Sequence, residues 1–206
     1  MVTFENPDDI QKYIWSMTEI KLRIEVIDNI LKGVKGTGQY PTDMECVALQ
    51  FRKILELIAL SSICANKDAY SVTRENFYKD WNGKRILNDL EKVNPDFYPQ
   101  PSKQIVDNKT GRVVRLEKIK EEYLTKELYI QLYDKCSEHL HSYNPYGEYP
   151  NLDELKADFI KWKDRIVHLL NHHQIQLVNR RKQLWVLMRS KDDGKVHVGE
   201  MVQTDL

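Results

Sequence analysis

Nowhere in this chain do apolar residues run unbroken for anything near the roughly 18 positions of a membrane-spanning helix. The opening MVTFENPDDI also has no basic segment followed by an apolar run. Both absences lead to the expectation of a cytoplasmic protein with no membrane partner. An excess of either charge is lacking too, since Lys+Arg and Asp+Glu stand at 31 each. No net field draws the chain to nucleic acid, and RNA contact would need a local basic face. Cysteine is scarce: Cys46, Cys64 and Cys136 are odd in number and mostly embedded in apolar helical pattern, which speaks against a disulfide framework and a zinc site. HExxH, phosphate loops, dinucleotide fingerprints and nucleophile elbows are missing, and the one Gly-x-Gly, Gly36 to Gly38, follows no strand. The expectation is no cofactor and no metal.

What the chain does have is helical period. Its 206 residues, 41% of them hydrophobic, suit a single domain over 1–206 with a substantial core. From Pro7, apolar residues recur at Ile10, Tyr13, Met17, Ile20, Ile24, Ile27 and Leu31, the seam of a long helix against a near-parallel neighbour. A second helix is expected from Thr42, with Glu45 placed for a capping box, to about Asn66. A third runs from about Thr73 to Val93, with Phe77, Trp81, Leu87 and Leu90 inward. Two more are expected from about Glu117 to Ser142 and from Leu152 to Arg181.

KQIVDNKTGRVVRL, residues 103–116, reads as a hairpin insert, and QLWVLMRS with KVHVGEMVQ, within 183–203, as a C-terminal hairpin. The expected class is mainly α: an all-α frame, a multi-helix bundle over 7–181, decorated by two small antiparallel β-hairpins.

Candidate functional residues come from polar groups that the periodicity turns inward. The second helix is apolar almost all round, with Met44, Val47, Phe51, Ile54, Leu55 and Ile58 on one face and Leu49, Leu57, Leu60 and Ile63 on the other. Arg52 and Glu56 sit in it at i, i+4, so they should pair. They are either an ion pair fixing helix register or a guanidinium positioned beside a site. LYDKCSEHLHSYNPYGEYP, residues 132–150, raises a similar choice. Leu132, Cys136 and Leu140 form an inward stripe that includes His139, with Lys135 at its edge and His141 turned to solvent. His139 is a hydrogen-bonded core histidine or a general acid or base. In RIVHLLNHHQ, residues 165–174, His173 faces inward, while His168 and His172 have i, i+4 spacing but no third ligand.

An Arg or Lys separated by a few residues from a His near a helix end, in a helical bundle of this size, resembles the HEPN superfamily of prokaryotic defence and toxin proteins. Lys135 with His141, or Arg165 with His172, meets the spacing, although Cys136 and Ile166 stand where that family places a polar residue. The resemblance implies a helical fold, a dimer and metal-independent RNA cleavage through the 2′-hydroxyl. Two functions follow as expectations: an interaction module acting with a protein partner or a second copy, or a HEPN-like ribonuclease. On the second, His139, Arg52, Glu56, Lys135 and His141 are the candidate catalytic residues.

Overall fold

The computed structural model describes residues 7–73, 79 and 81–203. Helix α1 (Pro7–Leu31) starts with Asp8 and Asp9 in its first turn, where acidic groups complement the helix dipole. Its seam is as the spacing requires: Tyr13, Met17, Ile20 and Ile27 are fully buried, and the stripe packs on helix α2 (Tyr40–Ala65). Helix α2 begins two residues earlier than expected, with Pro41 in its first turn and without the expected capping box. Asp43 instead folds back to accept the Thr37 backbone N–H at 2.6 Å and its hydroxyl at 2.9 Å.

Burial on both sides makes α2 the central helix. Phe51, Ile54 and Leu55 are fully covered on one face, Ala59 and Ile63 are buried on the other, and only Leu49, at 41% exposure, departs from the expected pattern. The buried hydroxyls of Ser61 and Ser62 donate to the Ile58 carbonyl, so neither is left unsatisfied in the core. Around α2 stand α3 (Lys67–Thr73), α4 (Gly83–Val93), α5 (Lys126–Glu138) and α6 (Leu152–Leu170). The last three are capped by Asn82, Thr125 and Asn151, whose side chains accept from backbone N–H groups of the first turn.

The strands overturn the all-α frame and the two separate hairpins. Strands β1 (Gln100–Val106), β2 (Val113–Lys118), β3 (His172–Gln176), β4 (Lys182–Leu187) and β5 (His197–Val202) form one antiparallel sheet in the order β2-β1-β3-β4-β5. The domain is therefore mainly helical with a five-stranded sheet, and of the HEPN resemblance only this general helical character stands.

The joining strand, β3, lies where the sequence reading continued a helix to Arg181. The helix ends at Leu170, and His173 and Ile175 alternate inward while Gln174 and Gln176 turn outward. Helical and strand phase both place His173 inside, which is why the five-residue run was ambiguous. The hairpin beyond it, around Asn179, Arg180 and Arg181, was the missed signal. His173, Ile175, Leu184 and Val186 form the buried face of the sheet, against which α1 and α6 pack.

Three other boundaries move. Residues 117 and 118 belong to β2, and α5 starts only after the Thr125 cap. Helix α4 starts at Gly83, so Trp81, expected inside, is 65% exposed, while Phe77 lies outside the described residues. Leu140 falls beyond the end of α5 and is 40% exposed.

Gly83 has a packing role. A Cβ there would overlap the Tyr129 hydroxyl and lie 3.2 Å from Tyr133 Cε2. The Tyr129 hydroxyl cannot retreat, because it is buried and donates to the Leu55 carbonyl at 2.7 Å. Placing Ala for Gly in a helix ordinarily gains up to about 1 kcal/mol. At Gly83 overpacking of about 1–3 kcal/mol outweighs that gain. Gly83→Ala is expected to lower the urea midpoint, and a raised midpoint would show that the two tyrosines repack freely.

Candidate functional site

The candidate residues on α2 come together as their spacing requires. Arg52 Nε donates to Glu56 Oε1 at 3.1 Å, with the two side chains only 16% and 18% exposed. The rest of the guanidinium reaches α5, donating through Nη1 to the Ser137 hydroxyl and through Nη2 to the Tyr133 hydroxyl. Its carbon lies 3.5 Å from the centre of the Tyr133 ring, so the planar cation also stacks on the aromatic face. Burial raises the Tyr133 phenol above its ordinary value while Arg52 pulls it down. Burial likewise pushes the neighbouring Cys136 thiol up to about 12, against Arg52 and Lys135, so it stays a protonated, unreactive thiol. This constellation is a polar knot tying α2 to α5.

The residues of the helix end go elsewhere. His139 is the C-cap of α5, where Nδ1 meets the Tyr143 hydroxyl at 3.0 Å and the ring stands edge-on to Phe159, centroids 6.2 Å apart. Its pKa is lowered by burial and by the Lys135 charge, with Glu138 opposing. Lys135 pairs with Asp158 of α6, and His141 is exposed. No hydrogen bond or ion pair among the described residues joins His139, Lys135 or His141 to Arg52. Clefts among the described residues are lined by other side chains: one by Asp9, Cys64 and Lys67, one by Asp28 and Met188, and a wider one by Ser102, Gln174 and Trp185.

The second pair of the HEPN spacing is also divided. Arg165 on α6 binds Glu122 at 2.6 Å, whereas His172 is in β3, 5% exposed and bonded to Ser102. His168 is half-buried and held by the Glu122 carbonyl at 2.8 Å. Among the described residues no group of three His, Cys, Asp or Glu side chains is arranged to hold a metal ion, and no helix is long and apolar enough to cross a membrane.

A feature that sequence reasoning underused is the free edge of β5. Gln203 N–H donates to the Arg181 carbonyl at 2.8 Å, and in the same register Met201, Gly199 and His197 lie opposite Gln183, Trp185 and Leu187. Antiparallel pairing alternates, so the N–H and C=O groups of Val198, Glu200 and Val202 point away from β4. Among the described residues they meet no backbone partner.

Sheet edges are commonly protected by outward charges, proline or a bulge. The opposite edge, β2, carries Arg115, Glu117 and Lys118, and its pairing with β1 is broken by a bulge. By contrast β5, HVGEMV, has neither proline nor lysine, and its one carboxylate, Glu200, is 7% exposed and paired with Lys182 at 3.2 Å. Met201 and Val202 are 43% and 50% exposed, and a Cβ added at Gly199 would meet only Met201 Cε, at 3.8 Å.

Comparison with family models, with curated proteins and with solved structures finds no match to this chain.

Proposed function

We propose that the protein is a protein–protein interaction module that takes an extended segment of a partner as an added strand along β5. The observation carrying this reading is the contrast between the two edges: β2 bears exposed charges and a bulge, whereas β5 has no bulge and the side chain of its one carboxylate, Glu200, is buried against Lys182. Three outward pairs of main-chain N–H and C=O groups, on Val198, Glu200 and Val202, are complementary to another backbone in extended conformation. Specificity then comes from alternate side chains. The open space over Gly199 beside Met201 suits a bulky apolar residue on one face, and Val202 suits another on the opposite face.

The experiment is selection of a random peptide display library on the protein, followed by amide hydrogen exchange with a selected peptide bound. The amides of Val198, Glu200 and Val202 are expected to gain protection. Val202→Pro removes an outward N–H without removing a bond to β4, and is expected to weaken the selected peptides about tenfold while leaving the melting temperature nearly unchanged. Peptides that bind the Val202→Pro variant as well as the parent, or that protect another surface, would refute the strand-addition reading.

A further inference from the structure

The sheet carries a second constellation, on the opposite side from the helices and away from the β5 edge. In the β1–β3 register Gln100 faces Gln174 and Pro101 faces His173, so the next pair sets Ser102 across from His172. Their side chains meet, Ser102 Oγ lying 2.7 Å from His172 Nδ1. Gln174 Nε2 donates to the same oxygen at 3.4 Å. Oγ can accept from Gln174 and still donate its own hydrogen, and in the tautomer that carries the His172 proton on Nε2 it donates that hydrogen to Nδ1. His172 is 5% exposed, whereas Ser102 and Gln174 line a cleft of about 620 Å3 together with Trp185, Tyr123 and Ile119.

We infer that Ser102 is a nucleophile for acyl transfer from esters, with His172 as its base and Gln174 as the donor to the oxyanion. Ser102 Oγ bonds to the ester carbonyl carbon as its proton passes to His172 Nδ1, and the carbonyl electron pair moves onto oxygen. The Gln174 amide N–H beside Oγ is placed to meet that developing charge. Collapse breaks the bond to the leaving alkoxide, which takes the proton back from the imidazolium, and water then removes the acyl group by the same steps in reverse. Burial, opposed by the Ser102 carbonyl, lowers the His172 pKa and keeps the ring neutral and able to accept a proton. The aromatic wall of Tyr123 and Trp185 fits a planar or apolar acyl or alcohol portion, and nothing in the site calls for a metal.

The test uses p-nitrophenyl acetate and, separately, a fluorophosphonate probe on the full chain. Expected are release of p-nitrophenolate and a single modified peptide containing Ser102, both lost in Ser102→Ala. Gln174→Ala should slow acylation about 10²- to 10³-fold, the usual effect of losing one oxyanion donor. The acid limb of the rate profile should fall below the ordinary histidine value of about 6.5 and disappear in His172→Gln. Arg189→Ala, at an exposed ion pair with Glu25, should react like the parent. No label on the parent protein, or a label that persists in Ser102→Ala, would overturn the inference.

Discussion

Acidification from pH 6.5 to 4 is expected to remove about 3 kcal/mol of stability through one side chain, His173. Its ring is fully buried between α1 and β3, with Nδ1 2.8 Å from the Leu170 carbonyl and Nε2 2.7 Å from the Tyr13 hydroxyl. A carbonyl can only accept, so Nδ1 carries the proton and Tyr13 donates to Nε2, which leaves a neutral ring with both nitrogens satisfied. Burial is the main cause that drives the pKa of this ring from 6.5 down to about 4, with the Leu170 carbonyl opposing and His172 assisting.

Within that window the unfolded chain binds a proton that the native chain refuses. Unfolding then takes up a proton, so stability is complete above 6.5 and falls by about 1.4 kcal/mol per pH unit on the way to 4. The lowered pKa of His172 acts in the same direction. Urea midpoints measured at several pH values should show this slope, and His173→Gln should lose most of it. An unchanged slope in His173→Gln would assign acid sensitivity to the carboxylates instead.

The second large effect is expected at Arg52. Removing it leaves Glu56 with only the half-exposed Lys53, at 3.6 Å, and takes from Tyr133 and Ser137 the cation that each of them bonds. Arg52→Ala should cost about 2–3 kcal/mol, below the full range for breaking a buried ion pair because the pair is only partly buried and Lys53 still faces Glu56. Glu56→Ala should cost less, because Arg52 keeps both hydroxyl partners and its stacking on Tyr133. Arg165→Ala provides the contrast. Its partner Glu122 is 80% exposed, and the loss should stay under about 1 kcal/mol. Chemical denaturation of the three variants decides the order, and an Arg52→Ala midpoint no lower than that of Arg165→Ala would remove the knot from the account of stability.

The same residues mark what could be read without the fold. The pairing of Arg52 with Glu56 was legible because one turn of a helix brings i and i+4 together whatever surrounds it. So was the seam of α1, since Tyr13, Met17, Ile20 and Ile27 line one side of any helix they occupy. What the helix arithmetic could not supply was the third partner: Tyr133 and Ser137 reach Arg52 from more than 80 residues away. His139 was placed inward by the stripe of Leu132 and Cys136, yet α5 ends at Glu138, so the ring packs on Phe159 and Tyr143 and does not approach Arg52.

The sequence by itself determined the mainly helical character, the burial of α2 and the local polar pair, because each is encoded by residues within a turn or two of one another. Only the tertiary structure decided that HHQIQ is a strand, that two apparent hairpins are parts of one sheet, and that Ser102 faces His172. Strand pairing is a non-local contact: His173 alone fits either period, a helix would turn Ile175 to the side opposite His173, and five residues are too few to decide, so the hydrogen bonds of β1 and β4 settle which is adopted. Among the described residues the same pairing leaves β5 with one bonded side and one free, a property of its place in the order of strands that HVGEMV alone does not contain.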